Sequence, residues 1–227
     1  MDLSPLVAAR KQLPNPPAWA LLFVKGFALV AKRRPELRQA YLPLPWPHLW
    51  EAEASSASVA VEREYEGEPA VLFGVVTTPE TRTLSELMDK LEEWKNAPVE
   101  HVGHFNRSLR YARYPLLVRR FVWWYATSWF GKVKAKNFGT FGVSLTGSAG
   151  ATATNLICPL TTSLNSGVIQ PDGTVNVRLH FDHRVIDGMP AARALAELEV
   201  VLRTEIAAEV LTLKNPVHLT PPTDAVA

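Results

Sequence analysis

The chain has 227 residues, of which 47% are hydrophobic and 20% charged, a balance typical of a globular protein and not of a disordered one. Its 24 basic and 22 acidic residues give a net charge of +2, so no chain-wide positive field favours nucleic acid as a partner. The single cysteine, Cys158, excludes an intramolecular disulfide. A signal peptide is absent at the start, and the apolar runs are too short to span a bilayer. We therefore expect a cytoplasmic protein.

The amino-terminal part of the chain predicts one helix and one hairpin. Apolar residues recur at three- and four-residue steps between Pro17 and Pro35, which predicts an amphipathic helix with one buried face. Residues 57 to 65 alternate between apolar and polar, and the apolar run 70 to 76 follows Gly67. We expect these two runs to form the strands of a hairpin.

The middle of the chain predicts three helices. Thr83 or Ser85 is placed to cap a helix whose apolar residues share one face. Residues 105 to 130 read as two further helices divided near Pro115, because proline disfavours a continuous helix. Gly131 is expected to stop the second of them.

The next part of the chain predicts strands joined by turns. A basic connector over 132 to 136 leads to a strand over 138 to 145 and to a small-residue loop over 146 to 153. Another strand over 163 to 169 precedes the Pro-Asp-Gly turn within 170 to 173, whose residues favour chain reversal. A second hairpin is therefore expected here.

The last predicted strand ends in a polar cluster. Residues 174 to 182 alternate, so that apolar side chains face one side and polar side chains the other. His183 follows the strand, Asp187 lies four residues later beside Gly188, and Pro190 suits the first turn of an apolar-striped helix. An imidazole at a strand end can take a proton from an incoming thiol or hydroxyl.

Three stretches resemble a known family, and they occur in the family's order. Residues 182–188, Asp-His-Arg-Val-Ile-Asp-Gly, are similar to the Asp-His-Arg-x-x-Asp-Gly signature of the 2-oxoacid dehydrogenase acyltransferases; chloramphenicol acetyltransferase has a similar His-x-x-x-Asp-Gly. Residues 23–37 resemble the family's first core helix and its Pro-Glu-Leu end. Residues 139–144, Gly-Thr-Phe-Gly-Val-Ser, resemble its Gly-Thr-Phe-Thr-Ile-Ser strand. The resemblance covers roughly residues 1 to 206 and is weakest between 96 and 137.

The resemblance implies a fold and an assembly. The fold is α/β, an α+β mixed-sheet sandwich of the chloramphenicol acetyltransferase type, and the family is trimeric with active sites between subunits. Residues 1–210 would form the catalytic domain, with 105–137 as an aromatic and basic insertion, and 211–227 would form a tail. Components of 2-oxoacid dehydrogenase complexes are the implied partners besides further copies of the chain.

The resemblance also implies a reaction and its residues. The reaction is the transfer of an acyl group between coenzyme A and a thiol, hydroxyl or amine acceptor. His183 would be the general base, Ser144 the hydroxyl that stabilises the oxyanion, and Asp187 a structural support. Thr146 is the alternative donor if the loop register differs by two residues. The alternative function is a non-catalytic trimeric scaffold with the same fold.

Coenzyme A, bound as the acyl-CoA substrate, is the expected cofactor. The family's lipoyl and subunit-binding domains do not fit before Met1, so we expect a stand-alone enzyme without a covalent lipoyl group. Residues 1–3, Met-Asp-Leu, resemble the family's first strand. We therefore expect the chain to lack the family helix that precedes this strand, whose arginine could pair with a carboxylate at the position of Asp187. The three-residue histidine spacings at 101–104 and 180–183 lack a cluster of cysteines or carboxylates, so no metal site is expected.

The insertion, residues 105–137, needs a separate explanation, because residues 121–130 are rich in aromatic side chains and basic residues flank them. We expect a core helix with a basic, solvated end. A membrane-surface contact through residues 119–136 and a pocket for an acyl chain are the alternatives.

Overall fold

The computed structural model describes residues 1–145 and 159–213. Within these residues the α-helices are α1 (Ser4–Lys11), α2 (Trp19–Arg33), α3 (Leu84–Asn96), α4 (Gly103–Ala112), α5 (Leu116–Ser128), α6 (Gly131–Phe138), α7 (Gly188–Val201) and α8 (Ala207–Thr212). The strands are β1 (Gln39–Leu42), β2 (His48–Glu51), β3 (Ser56–Tyr65), β4 (Glu68–Thr77), β5 (Phe141–Leu145), β6 (Thr162–Ser166) and β7 (Val177–Phe181). Short 3₁₀ turns cover Pro35–Arg38 and Val99–His101, and a π-helical turn, Leu202–Ile206, joins α7 to α8.

A five-stranded mixed sheet organises the described residues. Its strand order is β4-β3-β5-β6-β7, and the outer pairs β3/β4 and β6/β7 are antiparallel. The inner pairs β3/β5 and β5/β6 are parallel. β1 and β2 form a separate antiparallel pair. Both predicted hairpins and the mixed α/β sheet are confirmed.

The predicted first helix is confirmed as α2, but it is more deeply buried than one amphipathic face requires. Ten of its 15 residues are buried. Phe27 packs edge-on against Phe141 of the sheet, with ring centroids 4.8 Å apart. On the other side, a Cβ atom at Gly26 would lie 2.9 Å from Leu202 Cδ2. The helix is therefore enclosed between the sheet and the carboxyl-terminal helices, and glycine permits that close approach.

A partly buried ion pair ties three helices together. Lys25 Nζ, in the middle of α2, donates to Glu209 Oε1 of α8 at 2.5 Å. The same carboxylate oxygen accepts the backbone N–H of Leu84, the first residue of α3, at 2.9 Å. Breaking such a pair leaves an uncompensated charge. The core around Lys25 is therefore stable only when α8 packs against α2.

The start of α3 follows the predicted capping pattern. Thr83 is the cap: its side chain accepts the backbone N–H of Glu86, and the Glu86 carboxylate accepts the backbone N–H of Thr83. This reciprocal capping box satisfies two N–H groups that the helix would otherwise leave unpaired. Ser85, the other candidate, lies inside the helix.

The amino terminus differs from the expected first strand. Asp2 makes only an isolated bridge with Thr174, and the chain then enters α1. Proline in the first turn and the basic residues Arg10 and Lys11 in the last turn suit a short helix, because the first loses no hydrogen bond there and the others face the negative end of the dipole.

Residues 103–138 form three consecutive helices, which we call the helical excursion. The predicted break near Pro115 is confirmed, since α4 and α5 lie on either side of it. The predicted basic connector over 132 to 136 is wrong, because those residues belong to α6. Gly131 does not stop α5 but begins α6, where a Cβ atom would lie 1.9 Å from Trp50 Cδ2. The lysines and alanine that follow are good helix formers.

The packing of Gly74 against Trp94 gives a test of the core. A Cβ atom at Gly74 would lie 2.5 Å from Cζ3 of Trp94, whose indole is 1% exposed and cannot yield. We expect Gly74→Ala to lower the free energy of unfolding by about 1–3 kcal/mol through overpacking. Urea unfolding should show a lower midpoint with an unchanged m value. Gly103→Ala, where the added methyl meets open space, is the matched control.

Candidate active site

The turn between β7 and α7 presents His183 to solvent. The turn is anchored by Asp182, whose backbone N–H donates to the Thr161 carbonyl at 2.8 Å and whose own carbonyl accepts the N–H groups of Val185 and Ile186. Ile186 is buried at the base of the turn. The His183 side chain is 74% exposed. The backbone is thus fixed while the imidazole projects outward.

A charged pair holds the same turn from its other side. Arg184 donates Nε to Asp182 Oδ1 at 2.9 Å and Nη2 to Asp182 Oδ2 at 2.7 Å, and its backbone N–H also donates to that carboxylate. These hydrogen bonds from Arg184 lower the pKa of Asp182. The guanidinium carbon of Arg184 lies 4.3 Å from the ring centroid of Tyr41. The Asp182 carboxylate is therefore hydrogen-bonded to Arg184 and not to His183.

His183 is paired with Asp187 instead. His183 Nδ1 lies 3.5 Å from Asp187 Oδ1, which is longer than a good hydrogen bond. Asp187 precedes α7 as its cap residue, but its side chain makes no capping hydrogen bond. The carboxylate can therefore orient the imidazole through Nδ1, while Nε2 of His183 has no partner among the described residues. An unengaged Nε2 is the atom that a general base needs.

Ser144 lies near the end of β5, beside a buried asparagine. Asn165 of β6 donates Nδ2 to the Ser144 carbonyl at 2.8 Å. Asn165 is completely buried, and its Oδ1 has no hydrogen-bond partner within the described residues. This amide fixes the Ser144 backbone from the neighbouring strand and leaves the Ser144 side chain to face a cavity.

The sheet register keeps His183 and Ser144 apart within one chain. Ser144 pairs with Asn165, and Asn165 pairs with Arg178. β7 continues for three residues beyond Arg178, so its end at Phe181 lies about 10 Å along the strand direction and two strand spacings of about 4.8 Å across the sheet from Ser144, and His183 lies beyond that end. The two predicted catalytic residues therefore do not form one site in a single copy of the chain.

A cavity of about 770 Å³ lies between the sheet and the helical excursion. Its floor includes Gly142, Ser144 and Ser163, and its walls include Val71 and Phe73 of the edge strand β4. The excursion contributes further apolar and aromatic groups and two cations; they are Val122, Trp123, Ala126, Phe138, Arg107 and Arg110. Sequence reasoning missed most of these residues, although it named a pocket as one role of the insertion.

The expectation that the aromatic helix belongs to the core is wrong. Ala126 is the only buried residue of α5. Leu117 and Phe121 are 78% and 62% exposed, respectively. A sequence signal existed: α5 carries apolar residues on all sides, whereas a core helix of a small domain alternates with polar residues on its outer face. One side of α5 covers the cavity, and the other side is left without a protein partner among the described residues.

Other predicted positions have more limited outcomes. Thr146, the alternative oxyanion donor, and Cys158 lie outside the described residues. His104 is half-buried at the cavity wall, and burial lowers its pKa, with Arg107 and Lys90 adding to the effect. No group of three or more histidine, cysteine or carboxylate side chains that could hold a metal ion occurs in residues 1–145 and 159–213. Over the same ranges, no helix has the length and apolarity needed to cross a bilayer.

Solved structures share the fold. A protein of the cubic core of the pyruvate dehydrogenase complex aligns over 92% of this chain and 81% of its own length, at 22% identity and a TM-score of 0.61. Azotobacter vinelandii dihydrolipoamide acetyltransferase aligns over 92% and 81%, at 20% identity and a TM-score of 0.61. Chloramphenicol acetyltransferase aligns over 88% of this chain and 84% of its own length, at 13% identity and a TM-score of 0.53. No protein-family model and no curated protein matches the chain. The expected chloramphenicol acetyltransferase-like fold is confirmed.

The Asp182–Arg184 pair gives a test of the turn. Because the folded-state pKa of Asp182 is lowered, its stabilisation is fully present above the ordinary value of 3.8 and is lost as the pH falls through the folded-state pKa. Arg184 is largely exposed, so we expect Asp182→Asn to cost about 1 kcal/mol at pH 7, or about 2–4 °C in melting temperature. Thermal unfolding between pH 7 and pH 3 should show the two proteins converging at the acid end. Asp89→Asn, an exposed carboxylate of α3, should show no such convergence.

Proposed function

We propose that this protein is an acyltransferase that moves an acyl group between coenzyme A and a thiol, hydroxyl or amine. The observation that carries the proposal is the exposed His183 imidazole, whose Nδ1 lies 3.5 Å from Asp187 Oδ1, on a fold shared with solved acyltransferases. In the Azotobacter enzyme, a serine, a histidine and an asparagine four residues after the histidine were investigated for their role in catalysis. His183 and Asp187 have the same spacing, and Ser144 supplies the serine.

We also propose that the active site forms between two copies in a trimer. The distance between His183 and Ser144 within one chain supports this, because a base and an oxyanion donor must both reach one reacting carbonyl. A cyclic trimer repeats one heterologous contact three times, so each His183 can face the Ser144 of a neighbour. The fold shared with a protein of a cubic dehydrogenase core is further support, and makes dehydrogenase components the candidate larger assembly. Cytoplasmic location stays a prediction.

The proposed reaction needs three events at this site. His183 Nε2 removes the proton of the acceptor as the acceptor's sulfur, oxygen or nitrogen attacks the thioester carbonyl carbon. The Ser144 hydroxyl donates a hydrogen bond to the oxyanion that develops on the carbonyl oxygen. The tetrahedral intermediate then breaks its carbon–sulfur bond, and the coenzyme A thiolate takes the proton back from the imidazolium.

Mixing two inactive variants tests both the residues and their location. We expect His183→Ala to lower turnover about 10²–10⁴-fold and Ser144→Ala about 10²–10³-fold, without loss of coenzyme A binding. When the two variants are co-expressed with different tags and purified through both, one of the three sites in every hybrid trimer pairs an intact His183 with an intact Ser144. The hybrid should then recover about a third of wild-type turnover.

The outcomes of this experiment separate the alternatives. Hybrids no more active than their parents would contradict a site between subunits. Full activity in His183→Ala would contradict the general base, with His101→Ala as the control for an exposed histidine outside the cavity. Absence of coenzyme A and acyl-CoA binding by the wild type, measured by calorimetry, would favour the non-catalytic scaffold.

A second proposal concerns where the enzyme works: we propose that the outer face of α5 rests on an anionic membrane surface. Residues 103–138 contain eight basic and no acidic residues, so the remainder of the chain has a net charge of −6 against +2 for the whole. Exposed leucine, phenylalanine and tryptophan side chains stand among these cations. Aromatic and basic residues together suit the lipid headgroup region, where the rings enter the interface and the cations meet anionic lipids.

Vesicle co-sedimentation tests this membrane contact. The wild type should bind phosphatidylcholine vesicles that contain phosphatidylserine, bind pure phosphatidylcholine poorly, and dissociate as salt rises. The double variant Leu117→Gln, Phe121→Gln removes exposed apolar groups that do not line the cavity, and should weaken binding about tenfold or more. Val200→Gln, at a position of α7 that is 59% exposed, should leave binding unchanged. No binding by the wild type would overturn the proposal.

A further inference from the structure

The cavity under the helical excursion is larger than the transfer of an acetyl group requires. Its volume of about 770 Å³ lies within the range of pockets that enclose whole small ligands. An acetyl group would leave most of it empty, and its mainly apolar walls offer water few hydrogen-bond partners. The side chains of Phe73 and Trp123 remain 56% and 45% exposed although both line the cavity. These exposed apolar walls are surface that an apolar ligand would bury.

The floor of the cavity connects that apolar space to the proposed chemistry. Gly142 and Ser144 lie two residues apart on β5 and so share one face of the strand. A Cβ atom at Gly142 would lie 3.2 Å from Ser163 Oγ and 3.5 Å from Leu160 Cδ1, so a side chain there would narrow the floor beside Ser144. The resembling family strand has threonine at this position. Glycine therefore keeps the space next to the proposed oxyanion donor clear.

The charges on the wall limit the occupant further. Among the described residues that line the cavity no carboxylate occurs, and Arg107 and Arg110 are the permanent cations. Arg107 donates to Asn137 Oδ1 at 2.9 Å. Burial lowers the pKa of His104, which favours its neutral form. An anionic amphiphile with a long apolar chain meets no repulsive group here.

We propose that this cavity is the binding site of a long-chain fatty acyl group, held by the excursion with its carbonyl at Ser144. The inference rests on the proposed function for the thioester and adds to it the class of acyl donor. The chain replaces solvent against Val71, Phe73 and Trp123, and each buried methylene strengthens binding about four-fold until the space is filled. The excursion thus acts as the specificity element for the acyl chain.

Calorimetry with a chain-length series tests the site. The probes are coenzyme A, acetyl-CoA, octanoyl-CoA, lauroyl-CoA and free dodecanoate, each below the concentration at which it forms micelles. Lauroyl-CoA should bind the wild type at least about 100-fold more tightly than acetyl-CoA. Equal affinity for acetyl-, octanoyl- and lauroyl-CoA would overturn the proposal and leave the acyltransferase function standing.

Cavity-filling variants locate the chain. Ala126→Phe fills the space from α5, and Gly142→Thr fills it from the sheet, so a folding defect in one leaves the other informative. Either folded variant should lose the gain in affinity with chain length while it keeps wild-type affinity for coenzyme A. The control is Ala112→Phe, the same alanine-to-phenylalanine substitution at an exposed position of α4 that does not line the cavity. It should bind every acyl-CoA like the wild type. Unchanged lauroyl-CoA binding in both folded filling variants would overturn the proposal.

Free dodecanoate separates the failure of this proposal from the failure of the proposed function. If no coenzyme A compound binds but dodecanoate binds the wild type and not the filling variants, the chain site stands and the thioester chemistry falls. If coenzyme A binds and dodecanoate does not, with no gain along the acyl series, the chain site falls and the acyltransferase stands.

Discussion

The hydrogen-bonded register of β5, β6 and β7 is the constraint on which the rest of this molecule depends. It places Ser144 at the level of Asn165 and Arg178, five residues before His183 in the chain. Ser144 and His183 therefore lie at different places relative to the sheet. A one-residue change of register would turn every side chain of a strand to the opposite face. The buried amide of Asn165, which bonds to the Ser144 carbonyl, holds that register where the cavity begins.

The central helix α2 allows the sheet to keep this arrangement. It packs against Phe141 of the sheet on one side and against Leu202 on the other, and its buried Lys25 is neutralised by Glu209. Phe105 of α4 is the one fully buried hydrophobic side chain that the described helical excursion adds to this core. The excursion is free to carry side chains that the core does not need, and it stands off the sheet far enough to enclose a large cavity.

The exposure of His183 and the cavity at Ser144 are therefore related. The imidazole of His183 is exposed because none of the described residues covers it, and the cavity at Ser144 lies between the sheet and the excursion. An acyl-CoA shared between two copies would complete both: a neighbour's base at the thioester and an apolar chain under the excursion. The basic and aromatic outer face of α5 would bring such a site close to the membrane that supplies long acyl chains.

Local signals in the sequence were enough for several of the helices and strands. The alternation in β3 and β4, the capping residues Thr83 and Glu86, and the turn before β7 depend on neighbours within a few residues, and they are recovered by periodicity and turn chemistry. The position of His183 between β7 and α7 was predicted because this strand, the turn and the helix are contiguous in sequence. Burial of the whole of α2, the identity of α6 as a helix, and the exposure of α5 were decided by tertiary packing. They depend on contacts such as that of Gly131 with Trp50, between residues remote in sequence, and the distance from His183 to Ser144 was set by strand pairing that no local pattern encodes.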